Sequence, residues 1–435
     1  MSMGWILVLI LGCQNQPTLS GQDLLDPKNC AECHPTHYDQ WVGSMHAYAS
    51  TDPVFVAMNA RGQRETNGEL GDFCVKCHAP MAVYNGETTD GLNLDELPES
   101  SQGVGCAWCH LADEAIEDHN GMLNLATDEV LRGGVADPIH TSAHRSGYSA
   151  FHDRNDNTSS QMCGACHDII TPSGVHLERT FAEWKESIFS ADTAGRQSCG
   201  HCHMRGEDGP ISNVTGSPHR RLHDHKMVGV DIALTNFPGR DTQRQATQHE
   251  LDHALMAELC VVPSAGGSEI NVRIDNVSVG HRWPSGASQD RRAWVEIRAF
   301  KDGEVIFETG AFGDDEPIID ENTWVFHDRG YDTSGEIAHM FWDIAYTEVS
   351  TLAANTTLDP TDPAYYHAQE RSFPLSGIEP DRVEMRVRIR PVGLDMLEDL
   401  VSSGDLEADI ISQMPVFDLG STVLQWNGPI GSCVE

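Results

Sequence analysis

The sequence predicts a multidomain protein: a mainly helical and irregular amino-terminal domain followed by an all-β, sandwich-like domain. Three observations lead there. A five-residue word, C-x-x-C-H, occurs five times before residue 204 and not after it. Beyond about residue 260 the texture changes to a period-two alternation of apolar and polar side chains, the mark of half-buried strands. At 435 residues the chain is also comfortable for two domains.

The chain opens with MSMGWILVLILGCQNQ, one apolar run that ends in a small residue and then Cys13. Ile10-Leu11-Gly12-Cys13 is similar to a bacterial lipobox, where cleavage before the Cys frees an amine and the sulfur takes a diacylglycerol. The run is about ten residues long, short of the roughly 20 that a bilayer-crossing helix needs. Residues 1–13 are therefore read as a lipoprotein signal segment ending at lipidated Cys13, and residues 14–26 as a polar tether. Gln14 after the Cys makes the outer membrane the expected destination. The expectation is an exported protein of the periplasm or outer membrane, extending to the cell surface.

The five words are Cys30-Ala-Glu-Cys33-His34, Cys74-Val-Lys-Cys77-His78, Cys106-Ala-Trp-Cys109-His110, Cys163-Gly-Ala-Cys166-His167 and Cys199-Gly-His-Cys202-His203. Two cysteines at this spacing form thioethers to a porphyrin edge, and the next histidine is placed as proximal ligand of the iron. Zinc ribbons also use C-x-x-C, but they need pairs of pairs, and five is odd. Redox C-x-x-C sites do not require the adjacent His. Five c-type haems (heme c, iron) are thus the expected cofactors, in a pentahaem cytochrome c domain over residues 27–235. Attached between Cys30 and His203, they lie close together, supply much of the core and form a conducting chain. The last two words bracket TFAEWKESIFS, where Phe181, Trp184, Ile188 and Phe189 make a helical stripe suited to a porphyrin face.

The sixth ligand on each iron separates a carrier from an enzyme. A second His gives stiff low-spin ligation, whereas an open position invites substrate. His46 sits in DQWVGSMHAYAS, a helical segment just after the first word. His140 and His144 are four apart in DPIHTSAHRSG and able to share a helical face. His219, His223 and His225 cluster after the fifth word. His46, at least one of His140 and His144, and one of His223 and His225 are the expected distal ligands. His119, His152 and His176 lie in polar loops between words.

The region from about 28 to 235 resembles the multihaem c-type cytochromes of the cytochrome c-554 kind. The shared features are the words, WVGSMHAYA after the first, GVGCAWCH at the third, the EWKES helix, and CHMRG followed by RLHDHKMVGVD. In that family the S-x-H-A histidine and the histidines after the last word serve as distal ligands. The resemblance carries those roles to His46 and to His223 or His225. Five words exceed the four of the type member. The pentahaem nitrite reductases match in number, but the C-x-x-C-K word of their catalytic haem is absent here.

Residues 236–260 are read as a linker helix, with Leu251, Leu255 and Leu259 at four-residue spacing, and 261–435 as the β-sandwich-like domain. Ile270, Val272 and Ile274 alternate with polar residues, as do Val295, Ile297 and Ala299, and Val383, Met385, Val387 and Ile389. Asp302-Gly303 marks a hairpin, and GLDMLEDLVSSG a helix after the strand ending at Arg390. NVSVGHRWPSG is similar to the G-H-x-F-P-T-G segment of β-domains appended to multihaem cytochromes. On that resemblance His281 is a candidate distal ligand at the domain interface; otherwise it is a loop His bonded to its own backbone. Arg291 and Arg292 are read either as propionate partners or as exposed strand residues. The acidic run Asp314–Glu321 lacks the EF-hand pattern and is expected as a solvated loop.

The thirteen cysteines divide into Cys13, the ten of the words, and Cys260 and Cys433. In an oxidising compartment the last two are expected to form a disulfide that staples the ends of the last domain, with two thiols as the alternative. A formal net charge of −38 excludes nucleic acid and an anionic membrane surface, which would repel the chain. The expected function is electron transfer, with other redox proteins as partners: cytochromes or a quinol-oxidising membrane complex. The membrane itself is reached through the lipid anchor. The alternative is a multihaem oxidoreductase acting on a small nitrogen or sulfur compound at one open haem, and no catalytic residue is assigned.

Overall fold

The computed structural model describes residues 18–139, 141–318, 320 and 322–435. The lipobox with Cys13, and His140, lie outside the described residues. The amino-terminal half is built of short helices and two-stranded ribbons joined by loops. Its longest helix, Pro53–Glu65, starts on Asp52, whose carboxylate accepts the N–H of Val54 at 2.8 Å and of Phe55 at 3.4 Å. That cap, with Pro53 in the first turn, satisfies donors that a helix start leaves open. The third and fifth words are themselves helical, Cys106–Leu111 and Cys199–His203. A helical turn brings i, i+3 and i+4 to one face, so the sulfurs and histidine of a word aim together.

Few side chains of this half pack on each other. Its apolar clusters are small, one around Met81, Trp108, Leu111 and Phe151, another around Val75, Ala79, Ala82 and Leu94. The helix between the fourth and fifth words spans Thr180–Glu186, and Phe181 and Trp184 are buried. Ile188 and Phe189 fall beyond its end, because the Ile188 N–H leaves the helix and donates to the Asn355 carbonyl at 2.9 Å. Gly164, inside the fourth word, lies under the Phe181 ring; a Cβ there would meet the ring at 2.3 Å.

The linker helix is shorter than its leucine spacing suggests. It spans Arg240–Leu251, and a strand, Met256–Ser264, begins before residue 261. The alternation Ala257, Leu259, Val261, all buried, has a full-length antiparallel partner in Gly267–Asp275, and that pairing wins over helix propensity. One sheet runs in the order Gln369–Ser376, Gly267–Asp275, Met256–Ser264, Ser432–Val434. The other runs Glu304–Thr309, Arg292–Lys301, Arg382–Arg390, Phe417–Asp418, with Trp324–Phe326 and Leu424–Trp426 pairing on its central strands. Asp302 and Gly303 turn the first hairpin with φ of 52° and 85°, as a two-residue primed turn requires. Between the sheets Ile270, Ile274 and Leu259 meet Val295, Ile297, Val387 and Phe326 in one core.

Cys260 and Cys433 face each other in register on neighbouring strands and form a disulfide across 173 residues. The acidic run is not simply solvated: Arg388 bonds the Asp314 carboxylate and Arg390 bonds the carbonyls of Asp314 and Glu316. The two halves share a second core, in which Ala57 and Leu234 pack with Met340, Leu394, Leu397 and Leu400 of the helix Leu394–Ser402 and its surroundings. Among the described residues no helix is long and apolar enough to cross a membrane.

Candidate haem-binding sites

All ten cysteines and five histidines of the words line one continuous cavity of about 1730 Å³. Four of these histidines have Nδ1 tied to a carbonyl oxygen: His34 to Ile211 at 2.8 Å, His78 to Ala49 at 3.1 Å, His110 to Arg132 at 2.6 Å and His203 to Val228 at 2.7 Å. A carbonyl only accepts, so Nδ1 carries the proton and Nε2 keeps its lone pair for a metal.

Four of the five then face a second imidazole. His34 faces His144 at 6.2 Å between ring centres, His167 faces His46 at 6.1 Å, His110 faces His225 at 6.3 Å and His203 faces His281 at 6.4 Å. A metal–nitrogen distance of about 2 Å, with roughly 1.1 Å more to each ring centre, separates two imidazoles trans on one metal by about 6.3 Å. The opposing rings also have Nδ1 engaged, His225 on the His223 carbonyl at 2.8 Å, His281 on Arg282 at 2.7 Å and His144 on Arg145 at 3.2 Å. Burial holds His46 and His225 down to about 3, and His78 and His281 to about 4, so these rings are neutral at pH 7. Neutral imidazole is the form that binds a metal.

Other rings lie near these pairs. His152 lies 5.9 Å from His110 with its Nε2 donating to the Cys109 carbonyl at 2.8 Å, which leaves its buried Nδ1 without a partner. His37, 5.9 Å from His34, is three residues further along the same helix and sits beside it, not opposite. His223 lines the cavity, yet its contribution to the His110–His225 pair is a backbone carbonyl. His78 differs from the other four. The ring against it is Phe55, parallel within 2° at 3.8 Å, and among the described residues no imidazole faces it. Nothing in the sequence around Phe55 marked it as the stacking partner of His78; the helix capped by Asp52 places it there.

The loop that carries His281 is bolted to the helix Thr180–Glu186. The Glu183 carboxylate accepts the Arg282 N–H at 3.1 Å and the Ser285 hydroxyl at 2.7 Å, and the Gly286 N–H donates to Thr180 Oγ1 at 3.0 Å. Gly280 packs closely on that helix and the chain after it: a Cβ there would meet Phe189 at 3.3 Å and Trp184 at 3.5 Å. Arg291 and Arg292 are committed within the protein: Arg291 takes Asp231 with two bonds at 3.1 Å, and Arg292 takes Asp395.

Contacts among the words show their order in space. The thiols of Cys30 and Cys106 lie close enough to shift each other's ionisation, as do those of Cys163 and Cys199, and Cys77 lies close enough to Cys166 to push its thiol up. Cys109 also lies near enough to Cys163 and Cys166 to push both thiols up. The first word therefore adjoins the third, and the fourth adjoins the second, third and fifth. The stretch Cys163–His203 leaves a junction at its first word, so the arrangement is branched and not a linear chain in word order. Nine of the ten cysteines are free thiols; Cys33 is disulfide-bonded, and two thioethers at the first word require that bond to open.

The donor set fits covalent haem better than a bare metal. Among the described residues the one cluster of three potential ligands within ion-binding reach is Glu258 with the disulfide pair Cys260 and Cys433, and no two words pool their donors. A zinc ribbon needs such pooling.

Residues 29–111, which hold the first three words, match the family described as cytochrome c554 and c-prime. The structure is similar to that of a penta-haem cytochrome c552 from Thermochromatium tepidum, with a TM-score of 0.62 at 20% identity, covering 90% of this chain and 98% of that one. No curated protein sequence matches the chain. The family match covers the segment of the first three words, and the likeness to the solved structure is one of fold.

Proposed function

We propose that this chain holds five c-type haems and passes electrons among them, as an exported protein tethered by lipidated Cys13. The reading is carried by four of the five word histidines facing a second imidazole at 6.1–6.4 Å. When bound, each haem supplies a one-electron Fe(III)/Fe(II) couple. Cys30, Cys33, Cys74, Cys77, Cys106, Cys109, Cys163, Cys166, Cys199 and Cys202 anchor the porphyrins. His34, His110, His167 and His203 serve as proximal ligands, with His144, His225, His46 and His281 respectively opposite. Fixed Nδ1 bonds hold six of these eight rings, all but His46 and His167, so little reorganises there when the charge changes. The fourth word, touching three others, is the junction. The strongly acidic chain selects a basic redox protein as partner. An alkaline pyridine haem assay is expected to count five haems per chain, and labelled palmitate to enter the protein only while Cys13 is intact.

A second reading is favoured by one observation: among the described residues no imidazole lies about 6 Å from His78, whose ring is stacked on Phe55. This second site would take a small nitrogen or sulfur compound as substrate. Carbon monoxide added to the dithionite-reduced protein is expected to bind one site per chain. A Soret band that carbon monoxide leaves unmoved would sink the second reading and leave a pure carrier.

A further inference from the structure

Where the two halves meet, the haem cavity is walled by two carboxylates that the electron path does not use. Glu178 ends the short strand before the helix Thr180–Glu186, and Asp290 sits in the loop before the strand Arg292–Lys301. No hydrogen bond holds the Asp290 Oδ1, although it is buried; its Oδ2 has only the Gln289 side chain, at 3.4 Å. The Arg291 charge reaches both carboxylates, but its guanidinium is already answered by Asp231 at 3.1 Å and by the Ser285 carbonyl at 2.8 Å.

The charges facing each group are few and can be named. Glu178 meets Arg291, Asp290, Asp231 and Asp168; Asp290 meets Arg292, Arg291, Asp395 and Asp231. Arg292 is spent on Asp395, and the Asp168 carboxylate has Arg179 nearby at 3.7 Å. If Glu178, Asp231 and Asp290 all ionised against Arg291 alone, the nest would carry three negative charges against one positive. Burial therefore pushes Glu178 and Asp290 each up to about 7, the arginines only partly offsetting it. The same Arg291 charge reaches His167 and His281, the rings assigned above to the fourth and fifth irons.

We propose that Glu178 and Asp290 form a proton-binding site that takes up a proton when an electron arrives at the fourth or fifth haem site. The proposal rests on the electron-transfer reading above. The electron comes from an external one-electron donor, a reduced partner protein or dithionite, and stays on iron. The proton comes from solvent water and ends on a carboxylate oxygen, and no other bond forms or breaks. An added electron makes an adjacent buried carboxylate costlier to keep ionised. By linkage, protonation then eases reduction to the same degree.

The test is a spectroelectrochemical titration of the haem-loaded full chain between about pH 5.5 and 8.5, with proton uptake followed by an indicator dye in weak buffer. In the wild type the midpoint of the components belonging to these sites falls with rising pH. One proton per electron changes the equilibrium tenfold per pH unit, which is about 59 mV. E178Q with D290N together remove the slope and the uptake. D231N leaves Arg291 free to neutralise both carboxylates and moves the sloping region to lower pH. A pH-independent wild type, or a slope that survives the double substitution and so belongs to haem propionates, overturns the proposal. The haem count, taken first on the same sample, keeps the two readings apart: a chain without haem at the fourth and fifth words defeats electron transfer itself.

Discussion

His281→Ala tests the link between the halves. The ring comes from the β-domain loop, lies 6.4 Å from His203 with 14° between planes, and is held by the Arg282 carbonyl at 2.7 Å. Four of five word histidines face an imidazole, so four-fifths of the haem is expected low-spin in the wild type; removing His281 leaves three of five. Carbon monoxide capacity rises in parallel from one to two per chain. The substitution also opens a cavity, and a buried large-to-small change costs about 2–5 kcal/mol. The loop itself stays docked through Glu183, Arg282 and Ser285, so haem attachment is expected to survive. Low-temperature electron paramagnetic resonance reads the spin states, and added imidazole should restore the lost fifth. An unchanged low-spin share with all five haems in place would refute the assignment of His281 to the fifth iron.

Two further outcomes follow from the β-domain. Cys433→Ser opens a cross-link spanning 173 residues, worth at most about 5 kcal/mol in the chain-entropy account, and should lower the urea midpoint of that domain; an unmoved midpoint would show the strands hold register without it. His327 is half-buried, flanked by Arg292 and Arg329, and held down to about 3 by desolvation and those charges, with its buried Nδ1 lacking a hydrogen-bond partner. Its unfolded form binds a proton below about 6.5. The fold therefore has its full benefit above that pH and loses about 1.4 kcal/mol per unit as pH falls from 6.5 toward 3. His327→Phe should flatten that part of the stability–pH curve, read by denaturant titration at pH 7 and pH 5; a curve of unchanged slope would assign the acid sensitivity elsewhere.

The strands of the carboxy-terminal half were legible because burial on one face imposes a two-residue period, which Ile270, Val272 and Ile274 display without interruption. The linker helix was misjudged in length because Leu251, Leu255 and Leu259 satisfy a helical spacing while the last two also suit a buried strand. Only the partner strand decides between them, and it lies further along the chain. The stripe from Phe181 to Phe189 was likewise read as one helix, until the Ile188 N–H found the Asn355 carbonyl across the domain boundary.

The candidate haem sites divide the same way. The words and their histidines are local: two thioethers and an axial ligand must come from one turn of chain, so five residues suffice to declare them. Opposite ligands obey no such rule. A second imidazole would have to come from the far face of the ring, and the rings found about 6 Å from His34 and His203 are His144, 110 positions on, and His281, in a loop of the other half. Sequence proposed the histidines, and in His223 and His225 could not choose. Tertiary structure separates the two, because the His223 carbonyl takes the His225 Nδ1 proton and leaves the Nε2 lone pair of a ring that lies 6.3 Å from His110.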